Sequence, residues 1–563
     1  MEKKNEITAF KRFWSLLVPD SKEIRNVYLF AIFSGLLSLA LPLGIQAIIN
    51  FIQMGQVSTS WFVLVAIVVV AIGFGGYLNI AQMHITENLQ QRIFSRSAFE
   101  FADRIPKIKM EALFKQYAPE LINRFFDTLT IQKGLSKLLI DFTSAALQIF
   151  FGLLLLSFYH SFFIFFSFTL ILLIVLIFRF TAQKGFKSSL EESKYKYKIA
   201  HWLEEIAHAR MTFKLAGTNL MPLNKTENYL ENYLKARNVH FKVLVFQYML
   251  LVGFKVLVAL ALLIIGGFLV IQQQMNIGQF VAAEIIIVLI LNSVEKLIVS
   301  IDIVYDVLTA VEKIGQVTDL EMETYSGRST QNPSGGFDVS LKNVSFDTDS
   351  YRAPILDNID LDVYSCEKIS IISDSSVSTN VLFSLIGGLY PPCSGSISAN
   401  QIPLGNWNLK DLRYDIGNML PQDQLFYGTI ADNISLGREK VDFEEVVRVS
   451  DLVGLKPYLD LFSEGFDTIV NPESYFIPKD VVRKILFARS IAGSPALLLL
   501  DEPLLDLSNE QKRIFRNVIS GMKNTTILME TNDEDLHRIS NRLIVISHGK
   551  IVFDDRPEKY LNL

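Results

Sequence analysis

Residues 26–86 read NVYLFAIFSGLLSLALPLGIQAIINFIQMGQVSTSWFVLVAIVVVAIGFGGYLNIAQMHIT, a run of 61 residues with no Asp, Glu, Lys or Arg. A bilayer core takes about 20 apolar residues per helix. The run therefore predicts two membrane spans, at 27–51 and 61–83, joined by the uncharged GQVSTS. A second uncharged run, 142–178, fits two more, at 135–158 and 162–179, with a turn at Tyr159-His160. A third pair, 243–271 and 278–301, is joined by QQQMNI. Six membrane helices are expected.

Composition agrees. The chain has 563 residues, 50% apolar and 20% charged, with 42 Phe and a mean hydropathy of +0.31. That excludes a disordered or collagen-like chain and points to a membrane protein of two or more domains. A formal net charge of −5 argues against a nucleic-acid partner. Two cysteines, Cys366 and Cys393, exclude a disulfide framework and form no zinc spacing.

Basic residues set the orientation. The three short loops contain none, whereas segments 1–26, 84–134 and 182–242 contain six, eight and eleven. Both termini and both long connections are therefore expected in the cytoplasm. No cleavage site follows the first apolar run, so no removable signal peptide is expected. The long connections read as helices running out of the membrane, as in LEESKYKYKIAHWLEEIAHARMTFKLA at 189–215. Their charges read as a solvated face. Asp141, Lys255, Glu284, Glu295, Lys296 and Asp302 lie near the membrane plane. Such residues often line a pathway, and Glu284, two turns into the sixth span, is the candidate for touching a substrate.

The chain changes character after Ser326. GRSTQNPSGG reads as a linker. From Phe337, short β-rich runs (VSLKNVSF, KISIIS, ALLLLD, TTILME, RLIVIS) alternate with helical ones. The pattern predicts an α/β domain with a largely parallel sheet. Its apolar run 496–500 ends in Asp501-Glu502-Pro503, which places two carboxylates at the strand's C-terminal edge, where α/β sites lie. The expected organisation is an N-terminal segment 1–26, a six-helix domain 27–315, a linker 316–336 and the α/β domain 337–563.

This order of parts resembles a half-transporter of the ATP-binding-cassette (ABC) exporter class. SLALPLGIQAIINF and WLEEIAHARMTFKLAG resemble its type I secretion and bacteriocin-exporting branch. That branch often carries an N-terminal peptidase domain, and none is expected here. The resemblance implies a six-span α-helical domain followed by an α/β P-loop-type nucleotide-binding domain. It further implies ATP and Mg²⁺ as cofactors and a second half-transporter as partner. It places the chain in the plasma (inner) membrane and, where a cell has two membranes, adds a periplasmic adaptor. Several landmarks stand. GGLYPPCSGSI resembles the segment after the phosphate loop, and LPQDQLFYGTIADNISLG the Q-loop with Gln422 as its glutamine. LLLLDEP resembles the Walker B strand, in which Asp501 would hold Mg²⁺ through water and Glu502 would polarise the attacking water.

Other landmarks are missing. The family's phosphate loop reads G-x-x-G-x-G-K-[ST]-[ST]. Here Ser373, Ser376 and Ser378 replace its three glycines, with Asp374, Ser375 and Val377 between them. Thr379 stands at the lysine, and Asn380 and Val381 at the hydroxyls. The loop binds phosphate through backbone N–H groups at a helix N-terminus, and glycine lets the backbone approach. The lysine adds charged hydrogen bonds worth about 1.5–3 kcal/mol each. Asp374 adds negative charge instead, while Asn380 offers Mg²⁺ only a weak carbonyl ligand. Ser and Asp are good N-caps, so the segment reads as an ordinary helix start. The sequence contains no G-K-S or G-K-T elsewhere.

The L-S-G-G-Q signature is replaced by Ile477-Pro478-Lys479-Asp480-Val481, in which Lys479 is a point charge without a built geometry. Ser508 replaces the D-loop aspartate, and Asn532 stands at the switch histidine. Asparagine cannot take up a proton. Thr348 occupies the adenine-stacking position, with Tyr351 nearby. In the family, ATP is sandwiched between one half's phosphate loop and the other half's signature, and this chain spoils both. Weak or absent ATP hydrolysis is expected of the chain alone. Three functions remain open: a transporter subunit whose ATP turnover comes from an intact partner, a non-hydrolysing membrane scaffold or regulator, and an ordinary homodimeric exporter. Retention of Gln422, Asp501 and Glu502 favours the first.

Overall fold

A computed structural model describes residues 9–53, 59–114, 118–217, 219–329, 335–348, 352–472 and 477–561. Contacts divide the chain into two compact units. One runs to Ile108 and from Ala112 to Glu321; the other comprises Met322–Leu563 with Lys109–Glu111.

The first unit is helical. Six segments are long and apolar enough to cross a membrane: Ala9–Gln53, Thr59–Lys107, Leu121–Ser157, Ser161–His208, Met221–Ile271 and Ile277–Thr318. All six expected spans lie on them. Their apolar faces divide as a bilayer requires. Leu153, Leu170, Leu251, Ile286 and Val294 are buried between helices, while Val70, Phe165, Phe168 and Leu257 stand exposed and would face lipid.

Local chemistry explains the ends and breaks. Asn276 starts the sixth segment with a capping box shared with Gln279. His160 Nδ1 accepts from the backbone N–H of Phe162 and starts the fourth. The first span is broken at Ser38–Leu39, because Pro42 has no N–H for the Ser38 carbonyl. The third and fifth segments carry π-turns at Leu138–Phe142 and Leu262–Gly266. The fourth, fifth and sixth run well beyond membrane thickness, as the expected cytoplasmic extensions require. Gly185 is packed against the Tyr305 ring, where a side chain would collide.

The pairing of membrane-plane charges was not legible in the sequence. Lys255 pairs with Glu295 across the fifth and sixth segments, and Tyr248 donates to the same carboxylate. Glu284 is exposed on the sixth segment, and no ion pair forms on it among the described residues.

The second unit is α/β. Its main sheet has β1 (Lys368–Ser373), β2 (Ile416–Met419), β3 (Leu497–Asp501), β4 (Thr526–Glu530), β5 (Arg542–Ser547) and β6 (Lys550–Asp555). Their order is β6-β5-β1-β4-β3-β2. All neighbours are parallel except the β5–β6 hairpin at the edge. The expected largely parallel sheet is present. A separate four-stranded antiparallel sheet (Val339–Phe346, Leu356–Val363, Ser394–Ala399, Ile402–Pro403) was not foreseen. Strands β3 and β4 are buried along their whole length, as parallel strands covered on both faces must be. Phe487, on the helix Lys479–Ile491, stacks on Phe515 at 4.2 Å in this core.

Candidate nucleotide site

Parallel strands deliver their C-terminal ends to one edge, and the candidate residues gather there. β1 ends at Ser373 and a helix begins at Ser376, so two residues, Asp374 and Ser375, form the connection. The helix covers Ser376, Val377, Ser378, Thr379, Asn380 and Val381. None of residues 373–381 has a positive φ, so glycine is not needed and serine fits.

Short side chains tie the connection down. Ser373 Oγ donates to the Ser375 carbonyl at 2.8 Å. The Asp374 carboxylate accepts from Ser547 Oγ and from the His548 N–H, each at 2.9 Å. These bonds hold the Asp374 carboxyl below the usual carboxylate range, the His548 N–H contributing most. Ser378 Oγ donates to the Ile355 carbonyl at 3.2 Å. Val377 and Val381 pack against the core. The helix starts without a side-chain cap, so the capping expected of its Ser and Asp content does not form, and these side chains bond to neighbouring backbone and loops instead.

Thr379 is fully buried. Its hydroxyl faces Glu530, which lies directly across from Asp501 in the β3–β4 register. Asp501 and Glu530 are 7% and 6% exposed. Asp501 Oδ2, Glu530 Oε2, Thr379 Oγ1 and Asn380 Oδ1 are buried without a well-formed hydrogen bond. Burial, followed by the negative charge of Asp501, pushes the Glu530 carboxyl up to about 8. Burial, followed by the charge of Glu502, pushes Asp501 up to about 6. At neutral pH the pair therefore holds a proton that ordinary carboxylates would release. Glu502 is raised by burial as well. It sits at φ 40°, its N–H donating to the Glu530 carbonyl at 3.0 Å. Asn532 Nδ2 donates to Glu502 Oε1 at 3.0 Å.

The expected group of Thr379, Asp501, Glu502 and Asn532 is thus brought together. Glu530 was missed. Its signal was an acid at the end of TTILME, a run otherwise fit to be buried on both faces. Gln422 is exposed in the segment that leaves β2 at the same edge, since Met419 pairs with Leu500. Buried Arg489 holds that segment by donating to the Gln424 carbonyl at 3.0 Å. Tyr351 lies outside the described residues.

The signature position is equally engaged. Pro478 precedes the helix Lys479–Ile491 without a side-chain cap. The Asp480 carboxylate accepts from Tyr458 Oη and from Gln511 Nε2. Gln511 also closes a capping box with Ser508, the N-cap of Asn509–Gly521. Ser508 is therefore a helix start. Lys479 is exposed.

A triphosphate needs a ring of free N–H groups and a cation. The buried threonine and the proton-holding carboxyl pair supply no such cation. Among the described residues no group of three His, Cys, Asp or Glu side chains is arranged to hold a metal ion. ATP and Mg²⁺ do not fit this site as it stands.

Comparison with known proteins places the chain. Residues 24–294 match the ABC transporter transmembrane region. The alpha-hemolysin translocation ATP-binding protein HlyB of Escherichia coli is 27% identical over 299 residues, 53% of this chain and 42% of that protein. The chain thus spans well under half the length of that relative. The lactococcin-A transport/processing ATP-binding protein LcnC of Lactococcus lactis is 21% identical over 98% of this chain and 76% of its own. The solved structure of a bacterial Atm1-family ABC exporter with ATP bound superposes with a TM-score of 0.79 at 16% identity, covering 96% of each chain. Six membrane-length helices followed by an α/β unit with this sheet give the chain the fold of an ABC exporter, within which residues 24–294 resemble the ABC transporter transmembrane region.

Proposed function

We propose that the chain is one half of an exporter of peptides or proteins whose own nucleotide site is silent. It pairs with a second half that carries a working phosphate loop. The carrying observation is the carboxyl pair Asp501–Glu530 beside buried Thr379, where the family has a lysine. The remaining negative charge and the absence of a lysine at position 379 oppose a triphosphate. The names of HlyB and LcnC, which speak of translocation and transport of a hemolysin and a lactococcin, support the substrate class. Basic residues gathered in segments 1–26, 84–134 and 182–242, with none in the three short loops, support an inner-membrane protein with both termini in the cytoplasm. A periplasmic adaptor belongs to this reading where the cell has two membranes.

Two measurements test it. The tagged chain, purified from its native membranes, should bring down a second half-transporter in equal amount, with a Gly-rich loop in its sequence. The chain purified alone should show no saturable Mg-ATP binding. Recovery of a homodimer would favour the scaffold reading. Mg-dependent ATP turnover by the isolated chain, abolished by Glu502→Gln, would make it an ordinary exporter.

A further inference from the structure

Three polar side chains from three helices meet where the apolar runs give way to the long connections. Ser188 Oγ lies 2.8 Å from His240 Nδ1, and His240 Nε2 lies 3.1 Å from Asp302 Oδ1. They belong to the fourth, fifth and sixth segments. His240 is 1% exposed, but its two partners open onto different clefts. Ser188 lines one of about 280 Å³ with Glu191, Tyr195, Asn232 and Lys235. Asp302 lines one of about 340 Å³ whose walls include Leu244, Val245, Tyr248, Met249 and Val299. The buried imidazole is the link between a polar cleft and an apolar one.

The hydrogen bonds suit both protonation states of the imidazole. Ser188 has one hydroxyl hydrogen and two acceptors within reach, His240 Nδ1 and the Gly185 carbonyl at 2.9 Å. With a neutral imidazole, the hydroxyl donates to Nδ1 and Nε2–H donates to Asp302. With an imidazolium, Nδ1–H donates to Ser188 and the hydroxyl turns to Gly185. The serine therefore follows the proton without any heavy atom moving.

The surrounding charges leave Asp302 available. Facing His240 are Glu191, Glu192 and Lys196 from the fourth segment, Lys235 and Arg237 from the fifth, and Asp302, Asp306 and Tyr305 from the sixth. Arg237 is paired with Glu192 at 3.0 Å, and Lys255 near Tyr248 is paired with Glu295. With a neutral imidazole, the apolar cleft presents the Asp302 carboxylate as an anion at its wall, offset only electrostatically by Arg237, whose direct partner is Glu192. With an imidazolium, that charge is cancelled.

We propose that the Asp302 cleft binds an amphipathic monocation and releases it in exchange for a proton that enters through Ser188 and His240. Apolar walls take the body of the ligand and the carboxylate takes its charge. The balance is simple. Hydronium in the polar cleft gives a proton to Ser188 Oγ as the hydroxyl hydrogen passes to Nδ1. Water is left behind, and the imidazolium displaces the cation from Asp302. This goes beyond the reading of the nucleotide site. Nucleotide affinity, measured on the same preparation, decides that reading separately.

Rhodamine 6G, cationic throughout pH 6–8, is the probe, and anisotropy with the purified full chain is the readout. Binding should weaken as pH falls, by up to about tenfold per pH unit, the limit for one proton exchanged per cation. Asp302→Asn should abolish binding at every pH, and Asp302→Glu should retain it. His240→Gln should bind with an affinity that no longer depends on pH. Absence of binding, binding that ignores pH in the unaltered chain, or unchanged binding in Asp302→Asn would each overturn the proposal.

Discussion

The core of the α/β sheet and its C-terminal edge have followed different courses. In the core, the whole lengths of β3 and β4 are buried, and Phe487 stacks on Phe515. At the edge, serines replace glycines, Thr379 replaces lysine, and Glu530 stands beside Asp501. Burial of apolar surface sustains the fold whether or not a ligand binds. The edge answers to chemistry, so it can be rebuilt into a hydrogen-bonded helix start while the sheet behind it stays the same. A fold does not by itself fix the chemistry of the site it frames.

The contrast can be broken in the core first. Phe487→Ala should cost about 3–5 kcal/mol and unfold the α/β unit well below the temperature of the unaltered chain. Trp407, buried in this unit, reports the transition by fluorescence. Survival of the unit would mean that the core is not what holds it.

The second expected effect belongs to the carboxyl pair. Glu530 is raised from 4.5 to about 8 and Asp501 from 3.8 to about 6. The folded state thus holds protons that the unfolded chain gives up. Stability from this pair is fully present below about pH 4 and is lost as pH rises through 6 to 8. The melting temperature of the α/β transition should fall over that window. Glu530→Gln should flatten the fall, with each kcal/mol recovered at pH 8 worth about 2–4 °C. An unchanged pH profile in the variant would show that the pair is not coupled to folding.

A smaller change is expected at the rebuilt connection. Asp374→Ala removes the acceptor for Ser547 and His548 and should lower the midpoint of the same transition slightly, with no change in nucleotide affinity. The smallest effect sharpens the comparison most: Thr379→Ala should leave nucleotide binding and transport as they were. A clear loss of either would mean that the edge still works as a phosphate site.

Much of this was legible in residues taken one segment at a time. Apolar runs of sufficient length gave all six spans, since a helix in lipid satisfies its own backbone. Runs such as KISIIS and RLIVIS marked strands at their observed places. The two-residue connection after β1 contains no left-handed residue, so serine fits without glycine, but the capping that Ser and Asp suggest does not form. The antiparallel sheet was not legible, because pairing of Val339–Phe346 with Ser394–Ala399 joins strands about fifty residues apart. Glu530 was not singled out, because nothing local shows that β4 lies beside β3 in the register that faces it with Asp501.

By itself, then, the order of residues determined the membrane architecture, the α/β class and the absence of a G-K-S or G-K-T motif, all of which depend on local composition and spacing. The tertiary structure alone decided which charges meet. Lys255 finds Glu295, Glu530 finds Asp501, and His240 finds both Ser188 and Asp302 across three helices. Such pairs lie 29 to more than 60 residues apart in the chain, and the packing that joins them is set by apolar faces that carry no trace of the charges they bring together.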